Sequence, residues 1–413
     1  MNNNIHKYAS KIRNKYGNHA VSYVKDFVNF GFNYFITSVI GFVVVYFVNN
    51  NLEPEQMGIY SYNKSIFTLL TSILTLRIFS AYFRFNTKGV SRKLYGIARL
   101  ILIISVGLLG LIGFFLTNSI IAPLFAFIIV FNERTDFFRS IMKVNMVNAV
   151  RFVSIFATLI LVVGICYSDY ELTSNLVLFS YGVGYFICIF FRNKNEYVED
   201  KDTLPAKNIF KYCLPGFCLV AVDWLITFSG QLFLKEVYNF TAVAYFAIAQ
   251  RSLLVVQLFS GLLLTFWPML YYREMEAENY DLIKVIRICM IAIMVTVGVM
   301  AVLYKDLIYS VLGASEYVQY SNLFVILVIS HVINTIATFY AAYLGFILKT
   351  YWSLIISTVG SIVNLAILTL CINDYGIEVV PIAILISNII MFLGYYFISF
   401  TPEKKYIQKQ KNS

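Results

Sequence analysis

Three basic side chains stand inside apolar runs: Lys64 and Arg77 within Met57–Arg84, and Arg251 in a second stretch. An Arg or Lys at the centre of a membrane helix costs about 2.5–3.5 kcal/mol, so such residues face protein or water rather than lipid. Ser61, Lys64, Ser65, Thr68, Thr71, Ser72 and Thr75 recur at steps of three and four, which places them on one helical face. Gln250, Arg251 and Gln257 project together from the outer half of the eighth crossing. The chemistry such faces offer is noncovalent: charge pairing with an anion and hydrogen bonding to polar groups. They are read as walls of a cavity for an anionic ligand.

Acidic residues are scarce at that depth. Asp223 is placed near mid-membrane and shares a face with Thr227 and Gln231, each four residues on. It either pairs with one of the cations or titrates as an ion-coupling group, and both roles stay open. Further stripes are Asn29, Asn33 and Thr37; His331, Asn334, Thr335 and Thr338; and Ser357, Ser361 and Asn364. One polar stripe on each of several apolar cylinders is the pattern of a solvated central cavity. Two plainer readings compete. Ser, Thr and Asn also make ordinary interhelical contacts worth about 0.6 kcal/mol, and Lys64 and Arg77 can snorkel to the headgroups. At 1.5 Å per residue, Lys64 lies about 9 Å below the outer end of its helix and Arg251 about 12 Å below its own, with Arg77 about 20 Å beyond Lys64.

The elements that must hold these residues are membrane helices. The 413-residue chain is 59% hydrophobic and 13% charged, and apolar segments of the roughly 20 residues needed to cross a bilayer recur throughout. The runs are continuous rather than alternating, which excludes a β-barrel. Twelve crossings are expected, at 27–48, 58–83, 96–116, 119–139, 147–167, 173–191, 210–233, 241–267, 285–304, 320–345, 352–372 and 377–400. Pro215 and Pro268 are expected to bend or end their helices.

The formal charge of +10 is not a nucleic-acid signature, because nearly all of the 32 Lys and Arg residues fall in the N-terminal arm, alternate loops and the C-terminal tail. Only Lys235 and Lys305 fall on the opposite side, where Glu53, Glu55, Asp169, Glu171, Asp306, Glu316, Asp374 and Glu378 gather. The positive-inside rule then places both termini in the cytoplasm. Residues 192–211 divide the chain at its midpoint, giving two halves, 1–200 and 201–413, as parallel six-helix repeats. Six isolated cysteines and three scattered histidines suggest neither disulfides nor a metal site. No phosphate-binding glycine loop, nucleophile elbow or zinc-protease motif is present, so no cofactor and no enzyme chemistry are expected.

Several stretches together resemble a known family. Leu52–Tyr62 (LEPEQMGIYSY) and Leu74–Phe85 (LTLRIFSAYFRF) resemble the entry and exit of its second helix. Tyr212–Phe217 (YCLPGF) resembles the start of its seventh, and Val243–Ser252 (VAYFAIAQRS) through Phe266–Leu270 (FWPML) its eighth. The family is the bacterial lipid-linked oligosaccharide flippases of O-antigen and capsule type, within the multidrug/oligosaccharidyl-lipid/polysaccharide exporter superfamily. Many members carry an Asp-Arg pair late in the seventh helix, where this chain has Ser229-Gly230-Gln231. The resemblance implies transport of undecaprenyl-diphosphate-linked oligosaccharide units from the cytoplasmic to the periplasmic leaflet of the inner membrane. It implies membrane lipids, a glycan polymerase and a chain-length regulator as partners. The expected ligand-binding residues are Lys64, Arg77, Arg251, Asn33, Ser61, Thr68, Gln250 and Gln257, with Asp223 the candidate for ion coupling. A cation-coupled multidrug exporter of the same superfamily and a membrane glycan polymerase or glycosyltransferase are the alternatives. The first needs an acidic cavity and the second a larger outer loop.

Overall fold

The computed structural model describes residues 35–82, 92–141, 143–168, 170–191, 206–347 and 349–412. Asn33 and the N-terminal arm therefore lie outside the described residues, as does most of the mid-chain linker. Everything described is helix or short connection. The first half comprises α1 (Phe35–Asn51), α2 (Pro54–Leu74), α3 (Arg92–Thr117), a 3-10 segment Ala122–Phe127 leading into α4 (Ile128–Ser140), α5 (Val144–Cys166) and α6 (Ser174–Ile187). The second comprises α7 (Ala206–Val237), α8 (Phe240–Ser252), α9 (Leu254–Glu276), α10 (Tyr280–Leu303), the short α11 (Lys305–Val311), α12 (Ser321–Phe346), α13 (Tyr351–Tyr375), α14 (Val379–Tyr395) and a tail helix α15 (Thr401–Asn412).

Seven runs are long and apolar enough to cross a membrane by length and composition, and one of them, Tyr351–Ile407, contains both α13 and α14. Counting α8 with α9 as one crossing, and adding α1, α2, α4 with its 3-10 lead and α6, twelve crossings are accounted for among the described residues. Local chemistry fixes their starts. Pro54 opens α2 at a position where a missing N–H costs nothing. Thr173 accepts from the Leu176 N–H at 3.4 Å, and Asn239 accepts from the Ala242 N–H at 2.9 Å. The interior is largely apolar, and it is the outer surface that departs from a water-soluble bundle. Leu100, Ile103, Phe115, Leu303 and Leu370 point outward, while Ser180, Thr335, Asn364 and Ser387 are buried. A lipid surround makes that arrangement favourable.

Hereafter the rim is the end of the bundle that carries the turns at 52–53, 238–239 and 376–378, and the base is the opposite end. The halves meet along α2, which packs against α7 and α8. Gly58 permits this near the rim: a Cβ there would stand 1.8 Å from the Phe240 carbonyl oxygen. At mid-height the Trp224 indole donates to the Ser65 carbonyl at 2.8 Å. At the base the Arg77 guanidinium donates to the Gly216 carbonyl at 3.0 Å.

Three expectations about helix continuity are corrected. The second crossing does not run unbroken to 83. It ends at Leu74, and Leu76 and Arg77 take left-handed conformations (φ 47° and 53°) before a 3-10 turn, Ile78–Ser80. The same Thr and Ser stripe accounts for the weakening: Thr68, Thr71, Ser72 and Thr75 each donate to the carbonyl four residues back, which competes with the helix ladder. The eighth crossing is interrupted at Leu253, just after Ser252 donates in the same way to Ile248. The prolines, by contrast, end nothing: α7 continues through Pro215 and α9 through Pro268.

Candidate functional site

The polar face of α2 opens on a cavity of about 420 Å3 between the halves. Ser61, Lys64 and Thr68 reach it from α2, Gln250 and Arg251 from α8, and Gln257 from α9. Six of the residues selected from sequence thus share one chamber. Only the near part of the α2 stripe contributes; Thr71, Ser72 and Thr75 do not line it.

Arg251 is aimed across the interface. Its Nη2 donates to Ser61 Oγ at 2.7 Å and its Nη1 to Asn49 Oδ1 at 3.3 Å, with the Met57 sulfur beside it. All of these acceptors are neutral. The guanidinium carbon lies 4.7 Å from the centroid of the Tyr60 ring. Lys64 Nζ lies 5.6 Å from the Tyr60 centroid and 5.2 Å from that of Tyr181 on α6. The two rings stack with centroids 6.3 Å apart and planes at 17°. Neither cation makes an ion pair among the described residues, and the two are close enough to repel each other.

Aromatic faces partly offset such charges, by about 2 kcal/mol or more when desolvated. Among the described residues no carboxylate borders the cavity to neutralise the remaining charge. A guanidinium fork and an ammonium, both without a counter-ion among the described residues, are donors whose charge and geometry match phosphate oxygens. The amides nearby are ordered rather than loose. Gln250 accepts from Gln231 Nε2 at 3.1 Å and donates to the Thr227 carbonyl at 3.2 Å.

The structure places the other two described candidates elsewhere. Arg77 is not part of the cavity wall; it is exposed at the base, where the α2 break turns it towards Gly216 of the second half. Asp223 also lies apart from Lys64 and Arg251 and borders a separate cavity inside the second half. Tyr60, Tyr181 and Asn49 were not selected from sequence. Tyr60 precedes Lys64 by four residues, so the helical period that found Lys64 also reaches it. Tyr181 is different. It arrives from α6 because Gly182 lets that helix close on the backbone of Leu124, where a Cβ would meet atoms 2.5 Å away. No local pattern signals that contact.

No family model matches the sequence, and no curated protein matches it. Solved structures do match. One, described as lipid II flippase MurJ in an inward closed conformation, superposes with a TM-score of 0.68 at 16% identity, covering 90% of this chain and 87% of that one. An inward-facing multidrug resistance MATE family transporter of the MOP superfamily gives 0.63 at 14% identity, covering 91% and 96%. A MOP superfamily transporter from Pyrococcus furiosus, described as having a binding pocket of reverse polarity that suggests a different function, gives 0.51 at 15% identity, covering 98% and 94%. The chain is a multi-pass, all-α membrane protein with the fold of the MOP superfamily transporters.

Proposed function

We propose that the chain is a transporter that flips undecaprenyl-diphosphate-linked oligosaccharide units from the cytoplasmic to the periplasmic leaflet. The observation that carries this is the pair Lys64 and Arg251: two cations in one interhelical cavity, held by neutral partners and aromatic faces, with no carboxylate among the described residues of the wall. Burying ions without compensation costs several kcal/mol each, and a diphosphate offsets that cost. Sugars and a diphosphate do not cross about 30 Å of hydrocarbon unaided. The fold is shared by a structure described as a lipid II flippase and by others described as multidrug transporters, so cavity charge separates the readings. A cationic drug would be repelled by Lys64 and Arg251. The reversed pocket polarity described for the Pyrococcus furiosus transporter supports taking cavity charge as the guide to cargo.

On this reading the base faces the cytoplasm of the inner membrane, with both termini on that side. Residues 1–200 and 201–413 rock against each other about the α2 contacts to give alternating access. The polyprenyl tail stays in lipid, and the flipped unit passes to a glycan polymerase and its chain-length regulator. The test uses a host whose own glycan flippase is deleted. Lys64→Ala and Arg251→Ala should each abolish surface glycan while leaving the amount of membrane-inserted protein unchanged. Normal glycan display by both variants would overturn the reading.

A further inference from the structure

The central cavity has a neighbour of opposite character. A second cavity of about 400 Å3 lies inside the second half between α7, α8, α9, α12, α13 and α14, and falls in the range of about 300–1,000 Å3 typical of ligand sites. Thr227, Gln250 and Gln257 belong to the walls of both, so the two cavities adjoin across these three side chains. Among the described residues, the central one carries Lys64 and Arg251 and no carboxylate, and the second carries Asp223 and neither Lys nor Arg.

Asp223 is accessible, and the surface it exposes opens on this second cavity. Its carboxylate lies within reach of the Ser357 hydroxyl, which also faces the Tyr395 phenol. Parts of the wall are fixed by their own bonds: His331 Nε2 pairs with Ser260 Oγ at 2.8 Å, and Asn388 donates to Ser330 Oγ at 2.8 Å. The Asn334 side-chain amide makes no hydrogen bond among the described residues, and it lines the same chamber. Arg77 acts on Asp223 from outside the cavity wall.

A chamber at membrane depth that sets one carboxylate, amides and hydroxyls among apolar side chains such as Leu219, Ile226 and Met391 matches the mixed polar and apolar faces of a sugar. Each sugar hydroxyl it takes in needs a partner, and this wall supplies acceptors and donors in mixture. We propose that the second cavity receives sugar residues of the molecule whose diphosphate occupies the central cavity, and that it admits neutral or amine-bearing sugars and rejects sugars carrying a carboxylate. The proposal rests on the flippase reading above for the position of the diphosphate. The selectivity comes from Asp223: an acidic sugar would bring a like charge into a space with no lining cation to separate them.

The test measures binding of three probes to the purified full chain: undecaprenyl diphosphate without sugar, the same carrier with a neutral trisaccharide, and the carrier with that trisaccharide ending in a hexuronic acid. The neutral glycan probe should bind about tenfold or more tightly than the acidic one. Asp223→Asn should bring the two within about threefold of each other and leave the sugar-free probe unchanged. Asn334→Ala should weaken the neutral glycan probe and spare the sugar-free one. Equal affinity of the two glycans for the parent chain overturns the proposal, as does a preference that survives Asp223→Asn, or an Asn334→Ala loss that extends to the sugar-free probe. Lys64→Ala reports separately on the diphosphate: retention of all three probes defeats the flippase reading, while the ratio of the two glycans still reads the sugar selectivity.

Discussion

Arg251 and Arg287 are two cations of the second half that both stand against aromatic rings, and they are completed in different ways. Arg287 on α10 donates through both terminal nitrogens to Glu403, with the Nη1 bond at 2.9 Å, and Tyr271 donates to the same carboxylate at 2.7 Å. Its guanidinium carbon lies 5.1 Å from the Tyr340 centroid and 5.6 Å from that of Trp267. Arg251 has a comparable ring beside it in Tyr60 but only Ser61, Asn49 and Met57 as acceptors. The difference separates a cation completed by the architecture from one that, on the reading proposed above, is left for a ligand. Glu403 stands in the first turn of α15, so the completed pair also fastens the tail helix to the base of the bundle.

The comparison can be broken in four ways. Glu403→Ala should have the largest effect, because it strands Arg287 without a counter-charge; a stability loss of about 3–5 kcal/mol is expected, read as a lower thermal midpoint in detergent. An unchanged midpoint would mean that the aromatic cage alone suffices. Next, inorganic pyrophosphate at about 100 times its Kd should stabilise the parent protein by about 2.7 kcal/mol. It should do nothing for Lys64→Ala/Arg251→Ala, whose own midpoint should not fall. Stabilisation that persists in the double variant would place the anion elsewhere. Arg251→Lys keeps the charge and loses the planar fork, so pyrophosphate affinity should drop about tenfold, or about 1.4 kcal/mol, by calorimetry. Full affinity would show that charge alone matters. Arg77→Ala should be the mildest, costing about 1 kcal/mol of stability for a single bond to Gly216 and leaving pyrophosphate affinity as it was. A loss of affinity there would return Arg77 to the cavity side of the comparison.

Most of the fold was legible because membrane insertion leaves a one-dimensional record. Apolar length marks crossings, and each predicted span from 96–116 onward has its counterpart in the structure. The near part of the site was legible for a related reason: a helix repeats every three or four residues, so Ser61, Lys64 and Thr68 had to share a direction. The limit of that logic is seen at Thr71 and Thr75, where the same spacing fails to reach the cavity: both are buried in the bundle, and α2 breaks at that end. Arg77 was misplaced by that break. Tyr181, Asn49 and the separation of Asp223 from the two cations depend on contacts between helices far apart in sequence. Gly182 and Gly58 allow such contacts without announcing which partner each will meet.

The contact at Gly58 has a consequence for what the membrane must not lose. With no room for even a methyl group between α2 and the Phe240 carbonyl, there is none for a water molecule, which needs space of about one 1.4 Å sphere and two or more polar partners. Backbone laid on backbone closes the α2–α8 seam to water at that contact. A charged chamber inside a bilayer is otherwise an invitation to leak; on the flippase reading proposed above, this contact would act as electrical insulation between the rim and an anion held by the two halves.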